Sequence, residues 1–307
     1  MRLEIEETSA LTFDDGTPVR AASAIAPFGD GWLVAQDDAT HAAWLRPVSG
    51  VRPGPGDRPE SITPVRVIDP VDGWETFSSA AGTKHLKPDF EAACPMPGGE
   101  VLLLGSGSSP ARMRASLVGA GGFTVADLRP LYLAVAAALG LHEEQLNLEG
   151  ACLAGGRLRW FQRANLKAGA ATASADIEVS ALLAAVRGEA HPDTVTIHGV
   201  RRYDLGTVRG VALAVTDAVT LADGRVLVSA AAEDTPNAID DGPVVASGLA
   251  LLGADGEPPA FAEIPGAEKV EGLALRETTA DGARLLAVID ADDHEIPSRR
   301  LALRLYR

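Results

Sequence analysis

One pattern recurs five times along this chain, and a repeat at this spacing limits the fold more than any other feature of the sequence. Each copy reads as a short apolar strand carrying one polar residue, a turn containing Gly, a second apolar strand and a polar loop. The copies are RAASAIAPFGDGWLVAQDDAT, PDFEAACPMPGGEVLLLGSGS, LNLEGACLAGGRLRWFQRAN, AVTDAVTLADGRVLVSAAAED and KVEGLALRETTADGARLLAVIDADD. Their polar anchors are Ser23, Glu91, Glu149, Asp217 and Glu271, and their turn glycines are Gly31, Gly99, Gly156, Gly224 and Gly282. Anchor to glycine is 8, 8, 7, 7 and 11 residues. Glycine to the loop residue (Thr40, Ser108, Asn165, Glu233, Asp292) is 9, 9, 9, 9 and 10. Unrelated apolar runs would not hold so constant an offset.

Each copy is a β-hairpin by this pattern. The second strands (WLVAQ, EVLLLG, RLRWFQ, RVLVSA, RLLAVI) are apolar on both faces in places, as strands packed between neighbouring sheets are. Further strand-like stretches follow, such as HAAWLRPV, ASLVGAG, VTIHGVRRYDLG and SGLALLG. Roughly four strands per copy is the content of a propeller blade. The fold predicted is all-β, a five-bladed β-propeller formed by residues 1–307 as one domain. MRLEIEE at one end and RRLALRLYR at the other both read as strands. One is expected to complete the blade begun by the other and so remove an exposed edge. TVADLRPLYLAVAAALGL (124–141) and EVSALLAAVRGE (178–189) have helical spacing, with Pro130 suited to a first turn. Both are expected as excursions between blades.

Composition then bounds the partners. Plentiful Gly (32) and Pro (20) suit many tight turns. A net charge of −15 offers a phosphate backbone no basic footprint, so nucleic acid is not an expected partner. Most of that charge reads as a solvated surface, while metal cations stay open as ligands. No run of 18 apolar residues is present, so no membrane span is expected, and MRLEIEETSA lacks the apolar segment of a signal peptide. A cytoplasmic monomer is the expectation. Cys94 and Cys152 each follow an anchor by three residues. They are expected as free packed thiols, because the innermost strands of adjacent blades diverge.

The first strand of a propeller blade lines the central channel, and its side chains alternate in direction. Anchors that face the channel bring Ser23, Glu91, Glu149, Asp217 and Glu271 together. Any one of these carboxylates, taken singly, would read as an exposed or turn-capping residue. Their shared register makes them a ring. Carboxylates so close repel one another and hold raised pKa values unless a cation sits among them. Hard oxygen donors in a roughly five-fold ring favour calcium over magnesium, which demands octahedral geometry, and over transition metals.

The same segments resemble those of the calcium-activated nucleotidases (apyrases). SAIAPFGDGWLVAQDDAT is similar to that family's first blade, FEAAC to its second, LEGACLAGGRLRWFQRA to its third and VEGLAL to its fifth. The chain also resembles bacterial propeller proteins of unassigned function. The nucleotidase resemblance implies five blades and one central calcium held by a Ser, Glu, Glu, Ser, Glu set. Ser23, Glu91, Glu149 and Glu271 match that set by type, while Asp217 stands where the family has Ser. The likeness covers the inner hairpins, about a third of the chain, and not the outer strands or loops. It further implies that Arg163, in FQRAN, contacts phosphate and that Asp37 and Asp38 form an acidic pair at the end of the first hairpin.

Hydrolysis at the rim needs basic groups for an anion and a carboxylate for water. Lys84 and Lys87 precede the second anchor, and Lys167 lies near Arg163. Together with Arg163 they are candidate substrate-binding residues, although neutralising neighbouring carboxylates is their more ordinary role. Asp38, Arg163 and Glu233 are the candidate catalytic residues. The expected function is a calcium-dependent hydrolase of a phosphorylated or otherwise anionic small molecule. A non-catalytic propeller stapled by calcium is the second reading, and a calcium-dependent lactonase or esterase the third.

Overall fold

A computed structural model describes residues 1–48, 60–165, 169–234, 242–253, 259–266, 268–290 and 296–306. The expected sites Lys167 and Asp292 lie outside the described residues. The chain opens with β1 (Arg2–Ala10), whose burial alternates residue by residue. Four strands then form the first blade: β2 (Ala22–Phe28), β3 (Gly31–Gln36), β4 (His41–Pro47) and β5 (Glu60–Arg66). The second blade is β6 (Phe90–Pro95), β7 (Val101–Gly105), β8 (Arg114–Gly119) and β9 (Gly122–Asp127). Helix α1 (Arg129–Leu139) leads to the third blade, which consists of β10 (Leu148–Ala154), β11 (Arg157–Gln162), β12 (Ala173–Glu178) and, after helix α2 (Val179–Val186), β13 (Ile197–Arg202). The fourth begins with the two-residue β14 (Thr207–Val208) and continues through β15 (Val211–Thr220), β16 (Val226–Glu233), β17 (Val244–Leu251) and β18 (Ala260–Glu263). The fifth is β19 (Val270–Thr279), β20 (Gly282–Ile289) and β21 (Arg299–Tyr306).

The first strand of the chain completes this last blade. β1 pairs antiparallel with β21 from Arg2↔Tyr306 to Ala10↔Arg299, so the two chain ends close the ring as the sequence predicts. The five inner strands β2, β6, β10, β15 and β19 lie side by side in turn, and β19 returns to β2. The fold is a five-bladed β-propeller.

Apolar packing sits between blades. One core cluster lies at each of the five junctions, and the one between blades two and three also takes in both helices. This is why the second strands are apolar on both faces: every residue of β7 is buried. Two expectations about helices need correction. Residues 124–127 belong to β9, because that stretch supplies the fourth strand of the second blade by pairing with β8. Helix α2 lies inside blade three, between β12 and β13, and not between blades. Pro130 does occupy the first turn of α1. Cys94 and Cys152 are free and buried.

Candidate metal centre

A β-bulge at one shared place on every inner strand builds the site. Where β2 pairs with β3, Ser23 and Ala24 together oppose Ala35. Glu91 and Ala92 oppose Leu104 in the second blade, and Glu149 and Gly150 oppose Phe161 in the third. Thr216 and Asp217 oppose Ser229 in the fourth, and Glu271 and Gly272 oppose Val288 in the fifth. A bulge re-aims its first side chain and sharpens the local twist. The five equivalent residues are therefore Ser23, Glu91, Glu149, Thr216 and Glu271.

Asp217, the expected fourth anchor, stands one residue beyond the shared position. Its carboxylate accepts the amide N–H of Ala218 at 2.7 Å and of Leu273 at 2.6 Å. The Ala151 amide donates to it as well. Asp217 thus ties blade four to blades three and five. The second bulge residue is Ala or Gly in the other blades because backbones meet there. A Cβ on Gly150 would stand 2.5 Å from the Asp217 Cα, and one on Gly272 would stand 2.7 Å from the Ala24 Cα.

The two hydroxyls at the shared position clip neighbouring blades. Ser23 donates to the Phe90 carbonyl at 2.5 Å, and Thr216 donates to the Val270 carbonyl at 2.6 Å. Each acceptor residue immediately precedes a ring glutamate, Glu91 or Glu271. The hydroxyls therefore hold the strands that present those carboxylates.

Glu149 is close enough to Glu91 and Glu271 for its charge to act on both. Burial raises all three carboxyls above the usual range, and Glu149 pushes both Glu91 and Glu271 further up. Basic side chains answer this charge. Lys87 Nζ lies 2.6 Å from both Asp37 and Asp89. Asp89 also meets Arg112 at 3.0 Å and the Ser106 hydroxyl. One carboxylate oxygen each from Asp37, Asp89 and Glu91 falls within 4.8 Å of the others. On the opposite side Arg163 bridges Glu149, at 2.9 Å, and Glu233. Lys269 bridges Glu271, at 2.9 Å, and Glu233, at 3.7 Å. Although burial opposes ionisation, these carboxylates hold Lys87, Arg163 and Lys269 protonated well beyond their ordinary ranges.

The expected catalytic and binding residues separate under this geometry. Burial and the adjacent Asp37 push the Asp38 carboxyl up to about 7. Glu233 moves the other way: burial raises it, but Lys269 and Arg163 outweigh burial and keep it ionised. Arg163 and Lys87 reach the centre, each already facing two carboxylates. Lys84 is exposed on the short turn Lys84–Leu86. Thr216, Asp89 and Lys269 lie outside the set expected from the sequence. Asp89, Asn147 and Lys269 each stand two residues before a ring glutamate, immediately ahead of β6, β10 and β19. Asn147 uses that position to donate to Glu149 Oε1 at 3.0 Å.

One atom is left over. Glu149 is 5% exposed, and its Oε1 takes both Asn147 and Arg163. Among the described residues, its Oε2 is buried with no hydrogen-bond partner. A buried carboxylate oxygen costs free energy unless a donor or a cation meets it. Calcium takes hard carboxylate oxygens, so the ring glutamates offer the right type of donor, while the carboxylate oxygens that lie within 4.8 Å of one another are those of Asp37, Asp89 and Glu91.

A family described as Family of unknown function (DUF6910) matches residues 83–294. No curated protein matches the sequence. Two solved structures are similar at 12% identity: a luciferin-regenerating enzyme, covering 94% of this chain and 78% of its own with a TM-score of 0.43, and a hypothetical protein from Leishmania major, covering 99% and 91% with a TM-score of 0.49. Neither carries the name of a nucleotidase. Among the described residues, no helix is long and apolar enough to cross a membrane. With more than two thirds of its length matched, the chain belongs to the family of unknown function DUF6910.

Proposed function

We propose that this propeller binds calcium at its centre through Glu91, Glu149 and Glu271, and that the loaded site hydrolyses a small phosphorylated or otherwise anionic molecule. The buried, unpartnered Oε2 of Glu149 is the observation that supports the reading most strongly. Bound calcium would polarise the attacked group or the leaving oxygen. The chain's own residues supply the rest. Asp38, whose carboxyl burial and Asp37 push up to about 7, is suited to take a proton from water. Glu233 is kept ionised by two cations and is suited to orienting Arg163 and Lys269, not to moving protons.

A second reading, a structural calcium that staples blades, has its own support. Ser23, Thr216 and Asp217 already spend their polar atoms on bonds between blades. A lactonase or esterase is the third reading, and a panel of substrates separates it. Nucleotides, phosphate esters and lactones should be assayed with calcium for the wild type, Glu149→Gln and the remote exposed variant Arg129→Gln. Turnover lost in the first variant and kept in the second supports an enzyme. No turnover of any substrate, with calcium still raising the melting temperature, rejects the hydrolase and leaves the staple.

A further inference from the structure

Arg163 and Lys269 occupy an unusual position. Both side chains are largely buried, at 16% and 11% exposure, and both lean on the same rim carboxylate, Glu233. Each also neutralises one ring glutamate, Arg163 on Glu149 and Lys269 on Glu271. Two basic groups thus face three carboxyl groups on this side of the channel. A divalent cation on Glu149 and Glu271 adds positive charge there. It also removes the reason for the two basic groups to face the glutamates, since the metal takes their electrostatic place.

We infer that cation and anion binding are coupled at this centre: the metal displaces Lys269 from Glu271, and the freed ammonium, with Arg163, receives an oxyanion beside the metal. Lys269 is then a ligand-binding residue of the loaded state and a tethered competitor of the metal in the metal-free state. The inference rests on the calcium reading above, and it adds an order of events: the cation binds first and creates the anion site. The class of ligand is a small oxyanion such as a phosphoryl or carboxylate group, because two adjacent cationic donors recognise shared oxygen charge. Glu233 stays between the two basic groups and keeps them from separating. Direct attraction between metal and anion alone would couple the two ligands without any role for Lys269, and the variants below separate these cases.

The test is isothermal titration of the full chain, stripped of metal, with calcium and with inorganic phosphate kept below precipitation. For the wild type, saturating calcium should tighten phosphate at least about fivefold, and phosphate should tighten calcium by the same factor, because coupling is reciprocal. Lys269→Met should bind calcium alone more tightly than the wild type, having lost the competitor, while the phosphate coupling falls toward unity. A residue that only supports the fold would weaken calcium instead. Lys269→Arg should retain the coupling. Lys269→Gln carries the same expectation as Lys269→Met if the latter does not fold. Calcium binding without phosphate coupling in the wild type, or coupling unchanged in Lys269→Met and Lys269→Gln, overturns this inference alone. Absence of calcium binding in the wild type overturns the calcium reading and this inference with it.

Discussion

Glu149 shows at the scale of a single residue how much chemistry hangs on two atoms. Its Oε1 is satisfied twice over and its Oε2 not at all. Asp217 shows the reverse, a carboxylate of the same chemistry whose oxygens are consumed by backbone amides. Nothing in the side-chain alphabet distinguishes them. The sequence pattern located the strand and the turn, but the bulge adds one residue, and Thr216 and Asp217 exchange roles across it. Counting to the turn glycine from Thr216 yields the same eight residues as in the first two copies. Asp38 carries the residue-scale prediction. If it accepts a proton from water, activity should rise with pH through about 7, where its carboxyl ionises. Asp38→Asn should remove that limb of the pH profile. An unchanged profile in the variant would assign the proton to another group.

The bulged hairpin is the working element. It was legible as a hairpin because apolar strands flank a glycine turn, and its burial on both faces followed from the same runs. The aim of the anchors was legible only in part, since a bulge leaves no composition of its own. Helix limits suffered likewise: TVAD joins β9 because pairing with β8 outweighs helical spacing. Close approach of backbones at the bulges leads to an element-scale prediction. Gly150→Ala would drive a methyl against the Asp217 backbone at 2.5 Å. Overpacking of this kind costs about 1–3 kcal/mol. A lowered denaturation midpoint with weaker calcium binding is the expected pair of results. A stability equal to that of the wild type would mean that the blades yield at no cost.

Closure governs the whole molecule. The first and last strands were both recognisable as strands, and their pairing followed from the cost of an open edge. Removing residues 1–10 should expose the edge of β21, lower the melting temperature and produce oligomers visible by light scattering. A monomer of unchanged stability would show that β1 is dispensable to the ring. Function was the least legible level, because the basic groups that decide what the centre holds come from positions outside the anchor pattern. Lys269 precedes its anchor by two residues and Arg163 follows the second strand of its hairpin, so only the assembled ring shows that they share Glu233.

The central claim is that the ring glutamates bind calcium, and pH provides its most direct test. Burial first, and neighbouring carboxylates after it, raise the carboxyls of Glu91, Glu149 and Glu271, so the folded chain holds protons that the unfolded chain has released. Stability without metal therefore falls as pH rises from the ordinary carboxylate range toward those raised values. A bound cation removes that penalty, and protons compete with it. Metal-stripped chain should be titrated with calcium at pH 5 and pH 8 while melting is followed. One ion per chain is expected, with a rise of roughly 5 °C or more at pH 8 under saturating calcium and a clearly smaller rise at pH 5. Unchanged melting at both pH values, with no heat of binding, would contradict the account.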